Sequence, residues 1–139
     1  MEYKGIASDA IGSAKRWLAS AELNASHSNY DSALYSLEMS VEISMKAVLM
    51  RIGIDVPKTH AIGDIFAFSV KSDNRIPKDF KGHIEESVDV FNALLGLRAA
   101  SGYIFETKTT MEELKAKYEY YKKDATTVVE LCARAVQSA

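Results

Sequence analysis

The chain has 139 residues, enough for a single domain spanning residues 1–139. A domain of that size buries about 68–70% of the surface its unfolded chain exposes, so it needs no metal or disulfide staple. Its 17 basic and 19 acidic residues leave a net charge of −2, which speaks against a broad basic face and confines any RNA contact to a local patch. The single cysteine, Cys132, excludes an internal disulfide and suits a reducing compartment. No stretch approaches the ~20 apolar residues of a membrane span, and MEYKGIASDAIGSAK has no apolar run of signal-peptide length. The expectation is a cytoplasmic protein with no membrane contact.

Residues 5–27 carry Ile6, Ala10, Ala14, Trp17, Leu18, Ala21 and Ala25 at helical spacing, which makes one apolar helix face. SHSNYD (26–31) follows as a turn, with Asn29 and Asp31 as N-cap candidates. Tyr30, Leu34, Leu37, Val41, Met45, Val48 and Ile52 then advance by 4, 3, 4, 4, 3 and 4. Gly53 is placed to cap this helix, and Pro57 stops it. Beside the stripe, Ala33, Ser36, Ser40, Ser44 and Ala47 are small enough to let a neighbouring helix approach closely.

Ile62, Ile65, Phe66 and Val70 predict a short helix, and KSDNR (71–75) a loop. Pro77 opens a long helix over 77–104, whose stripe is Ile84, Val88, Phe91 and Leu95, widened by Leu94 and Leu97. The last helix starts on Thr110-x-x-Glu113, a capping-box pattern. Its stripe runs Met111, Leu114, Tyr118, Tyr121, Ala125, Val128, Cys132 and Ala135. With only two prolines, both at breaks, the pattern predicts an all-α bundle of four long helices plus one short helix.

The run YDSALYSLEMSVEISMKAVLMRIGIDVPKTHAIGDI (30–65) resembles the front half of a HEPN domain, the nucleotide-binding domain of higher eukaryotes and prokaryotes. Glu42 and Lys46 match its Glu-x-x-x-Lys helix pattern, and Pro57, Thr59 and His60 match the loop that follows. LRAASGY (97–103) resembles the Arg-plus-Tyr segment late in the fourth helix, so the likeness runs from about residue 8 to 136. The resemblance implies an up-and-down bundle, usually a homodimer, often acting beside a minimal nucleotidyltransferase in toxin–antitoxin pairs. Active members of the family are metal-independent endoribonucleases bearing Arg-x(4–6)-His.

This chain departs from that motif. Arg98 is present, but position 103 holds Tyr103, and no histidine follows His83. A tyrosine, with a reference pKa of about 10, is a poor proton carrier at neutral pH. The leading expectation is therefore a non-catalytic module that binds a nucleotide, RNA or protein partner, with Arg98, Tyr103, Lys46 and His60 as ligand-binding residues. One alternative is a divergent metal-independent endoribonuclease using Arg98 with Tyr103 or His60. The other is a purely structural helical dimer.

Each residue also has a plainer role open to it. Glu42 and Lys46 stand four apart in the favourable orientation for a helix ion pair. His60 can bond backbone at a helix entry. Arg98 needs an anion, supplied either by an internal carboxylate or by a bound phosphate. KAKYEYYKK (115–123) alternates lysines with aromatics, yet Tyr118 and Tyr121 belong to the core stripe, which leaves a solvated face. Cys132 is a core residue with no basic neighbour to activate it. His27, His60 and His83 lack metal-ligand spacing, so no metal is expected; with no phosphate-binding glycine loop or catalytic triad motif either, neither is a cofactor.

Overall fold

The computed structural model describes residues 2–139 as helices α1 (Glu2–Ser26), α2 (Tyr30–Arg51), α3 (Gly63–Ser72), α4 (Lys78–Lys81), α5 (Ile84–Gly102) and α6 (Met111–Ser138). No strand occurs among the described residues. The axis of the bundle is α2, which packs against α1, α5 and α6. Its apolar stripe buries Leu34, Leu37, Val41, Met45 and Val48. Its small-residue stripe, Ala33, Ser36, Ser40, Ser44 and Ala47, is buried as well, with Ser36 Oγ 3.4 Å from Ser20 Oγ of α1 and Ser44 beside Cys132 of α6. The serine hydroxyls need no partner outside the helix. Ser40 donates to the Leu37 carbonyl at 2.7 Å and Ser44 to the Val41 carbonyl at 2.8 Å, which removes the cost of burying them.

Both ends of the α1–α2 hairpin use the same device. After α2, Gly53 adopts φ +78°. Its N–H bonds the Met50 carbonyl at 3.0 Å, and Ile54 N–H bonds the Leu49 carbonyl at 2.9 Å, a Schellman cap. After α1, Ser28 N–H reaches the Ala25 carbonyl and Asn29 N–H the Asn24 carbonyl, each at 2.9 Å. Here the left-handed position, φ 62°, is held by Ser28, a residue with a Cβ. Of the predicted capping box at α6 the N-cap half is present, with Glu113 N–H donating to Thr110 Oγ1 at 3.1 Å.

Four expectations shift. The helix predicted over 77–104 is two helices, because the chain breaks at Gly82 and His83. Pro77 is the N-cap of α4 with φ −59° and ψ 144°, rather than a first-turn residue. The break lets Phe80 meet Phe66 with ring centroids 6.2 Å apart while Ile84 starts a separate buried stripe. In α1 the buried face begins one residue later than expected, on Ala7 and Ile11, and Ile6 is exposed. At the start of α6, Met111 is exposed and the core contact begins at Leu114.

The ends of α2 and α6 are tied by Arg51, whose Nε donates to the Val136 carbonyl at 3.1 Å. Replacing Ser28 with glycine removes the steric cost of a Cβ in left-handed backbone. Ser28→Gly is expected to raise unfolding free energy by about 0.5–1 kcal/mol in urea titration. No gain would mean that the hairpin's left-handed residue carries no strain.

Candidate functional site

Two glutamates one turn apart on α2, Glu38 and Glu42, are the core of the site. Both side chains are buried, with 0% and 2% exposure. A buried carboxylate must be paired or protonated, and three other side chains converge on this pair. Lys46, a further turn along α2, places Nζ 3.0 Å from Glu42 Oε2. The loop between α2 and α3 brings His60, whose Nδ1 lies 3.0 Å from both Glu42 oxygens. From α5, Arg98 Nη1 donates to Glu38 Oε1 at 2.6 Å, while Nη2 donates to Tyr35 Oη at 2.9 Å. The guanidinium also lies over the Tyr35 ring, 4.6 Å from its centroid, a cation–π contact.

The two carboxyls are driven apart in acidity. Burial pushes Glu38 up to about 8, helped by the neighbouring Glu42, and the Arg98 guanidinium does not offset this. Burial also pushes Glu42 upward, but hydrogen bonds from Glu38, Lys46 and His60 outweigh it and hold its carboxyl below the ordinary value. The pair thus shares one proton near neutrality, on Glu38. Glu38 Oε2 has no other partner and is the oxygen left to carry that proton.

Against an ionised Glu42, His60 Nδ1 carries its hydrogen inward. The 3.0 Å approach of Arg98 Nη1 to that nitrogen is then a packing contact, because both atoms are donors. The other ring nitrogen, Nε2, belongs to a side chain that is 54% exposed. Donor atoms of Glu38, Glu42 and His60 lie within 4.8 Å of one another, a spacing a metal ion could accept. Here Arg98 Nη1 stands 2.6 Å from Glu38, 3.6 Å from Glu42 and 3.0 Å from His60. Arginine and lysine already supply the positive charge an ion would bring.

The structure thus brings His60 from the α2–α3 loop and Arg98 from α5 onto Glu42 and Lys46, which are one turn apart on α2. Tyr103 stands outside this cluster. It is exposed, next to Phe105 with ring centroids 6.2 Å apart, and it shares with Arg98 a cleft of about 510 Å³ lined also by Tyr35, Leu95, Ala99 and Gly102. Sequence reasoning missed Tyr35 and underrated Glu38. Their signal was positional: Tyr35, Glu38 and Glu42 recur at helical spacing on the face of α2 that meets α5.

Elsewhere, Cys132 is fully buried and its thiol is pushed up to about 12 by desolvation, as a core residue should be. Tyr118 is buried and Tyr120 exposed, so residues 115–123 present a solvated lysine face beside the core stripe. A family model described as HEPN domain matches residues 7–137. No curated protein and no solved structure matches the chain. No described helix is long and apolar enough to cross a membrane.

The raised Glu38 pKa fixes a pH dependence. A carboxyl that is less acidic folded than unfolded contributes stability below its unfolded value of 4.5, and that contribution is lost as pH rises through about 8. Between pH 5 and 9, the urea midpoint of the native chain is expected to fall more steeply than that of Glu38→Gln. Parallel profiles would remove the shared proton from the account. Arg98→Ala removes the hydrogen-bond donor to Glu38 and Tyr35 and is expected to cost about 1–3 kcal/mol, read in the same titration.

Proposed function

The chain belongs to the HEPN domain family, and on that premise we propose that it is a non-catalytic module that binds nucleotide or RNA through Arg98, Lys46, His60 and Tyr103. The observation that carries this reading is the charge left at the cluster. With the shared proton on Glu38, two cations, Arg98 and Lys46, face one carboxylate, Glu42. The surplus positive charge sits at a cleft where Arg98 is partly exposed and the Tyr103 ring stands at the rim. A guanidinium held by Glu38 and by the ring and hydroxyl of Tyr35 is pre-oriented for phosphate oxygens.

In this reading the module is a cytoplasmic homodimer working beside a minimal nucleotidyltransferase, as in a toxin–antitoxin pair. Support comes from the family likeness of residues 30–65 and 97–103 and from the lack of any recognisable nucleotidyltransferase aspartates in the chain itself. Any nucleotide transfer then belongs to the partner.

A second reading is favoured by one observation. Glu42 holds His60 by Nδ1 and leaves Nε2 unengaged, with Arg98 alongside. A carboxylate-oriented imidazole next to a guanidinium is a general base beside a charge stabiliser, the equipment of a metal-independent ribonuclease.

Incubation with a mixed RNA pool, with and without EDTA, separates the two. The expected outcome is salt-sensitive retention of uncut RNA, reduced about tenfold or more by Arg98→Ala, with melting curves certifying the variant's fold. Metal-independent cleavage lost in both His60→Ala and Arg98→Ala would establish the ribonuclease instead.

A further inference from the structure

Next to the Arg98 cleft, and sharing Tyr35 and Gly102 with it, lies a second cleft of about 420 Å³ between α1, α2 and the end of α5. Both volumes fall within the ~300–1,000 Å³ of small-molecule sites. The character of the second cleft differs from its neighbour's. Its walls are hydroxyl, amide and carboxylate groups, with Trp17 beside them.

Three features mark it as a place for a ligand. Ser101 is 4% exposed, lines the cleft, and its hydroxyl has no hydrogen-bond partner; a buried hydroxyl left unpaired destabilises the fold. Asp31 Oδ1 accepts the Ser32 N–H at 2.9 Å, which fixes the carboxylate and leaves its second oxygen available. Asn24 Nδ2 donates to the Ser20 carbonyl at 3.0 Å, so its side-chain oxygen remains an acceptor. Trp17 and Tyr35 meet as a T-shaped pair with ring centroids 6.1 Å apart, and Arg98 covers a face of that tyrosine. The half-buried indole is the other aromatic surface that the cleft offers a planar base.

We infer that this cleft is a ribonucleoside subsite: the base lies on Trp17, the ribose diol is held by Asp31 with Asn24 and Ser101, and the attached phosphate reaches Arg98 past Tyr35. The inference rests on the proposed nucleotide- or RNA-binding reading and extends it by naming the unit recognised. A carboxylate accepts from a ribose 2′-hydroxyl and has nothing to accept from at that position of deoxyribose. The same chemistry is offered by a free ribonucleotide and by a nucleotide splayed from an RNA strand.

Trp17 is the only tryptophan, so its fluorescence reports on the cleft directly. The probes are adenosine 5′-monophosphate, its 2′-deoxy analogue and a short adenylate ribo-oligonucleotide, each titrated into the full chain. Saturable quenching is expected, with the deoxy analogue about tenfold weaker, and Asp31→Asn should erase that preference. Quenching by the mononucleotide identifies a free nucleotide as the source, and quenching by the oligonucleotide alone identifies RNA. Ser101→Ala should weaken binding while raising the melting temperature, an opposition that a merely structural hydroxyl does not produce. Binding that depends on Arg98 but leaves Trp17 unchanged and ignores Asp31→Asn overturns the subsite and spares the proposed function. Absence of any binding overturns both.

Discussion

Glu38 is the constraint around which this bundle is organised. A glutamate with no exposure on the most enclosed helix of the fold is strongly unfavourable unless something answers its charge. Two things answer it here: a proton, and the guanidinium of Arg98 arriving from α5. That contact sets where α5 lies against α2. It also fixes the orientation of Tyr35, because the other arm of the guanidinium takes the phenol oxygen. A well-packed apolar pair in the same place would hold the helices at least as firmly. The charged arrangement instead leaves polar chemistry at the edge of a cleft.

The same constraint links stability to the proposed function. Glu42 is kept ionised by Lys46 and His60 while Glu38 keeps the proton, so the cluster carries one surplus positive charge. An approaching phosphate meets groups already held in place, which lowers the ordering cost of binding. Raising pH through the Glu38 transition converts the site to two cations against two carboxylates, and its surplus positive charge disappears.

Much of the architecture was legible because it rests on periodicity. The stripes of α2 and α6, the Gly53 stop and the Thr110 cap all follow from residue spacing and from what glycine and threonine do at helix ends. The break at Gly82–His83 was not legible, since the stripe on either side keeps helical spacing and only the docking of Phe80 on Phe66 demands a turn. The site was half legible. Glu42, Lys46, His60 and Arg98 could each be singled out, but their meeting depends on how far α5 rotates against α2, which no local pattern encodes. Tyr103 looked like the partner of Arg98 because it stands where the motif histidine would be. In the fold His60, 38 residues upstream of Arg98, is the nearer ring. Glu38 stands one turn before Glu42 on α2, and its burial becomes visible only once α5 covers it.

The most direct test of this account is a double-mutant cycle between Glu38 and Arg98, using Glu38→Ala, Arg98→Ala and the pair, with unfolding free energies measured at pH 7. If the carboxyl and the guanidinium hold α2 to α5 as described, the cycle returns a coupling of at least ~1 kcal/mol. Additive effects, within ~0.3 kcal/mol, would mean that the helices are held by their apolar stripes alone and that Arg98 is free for some other partner.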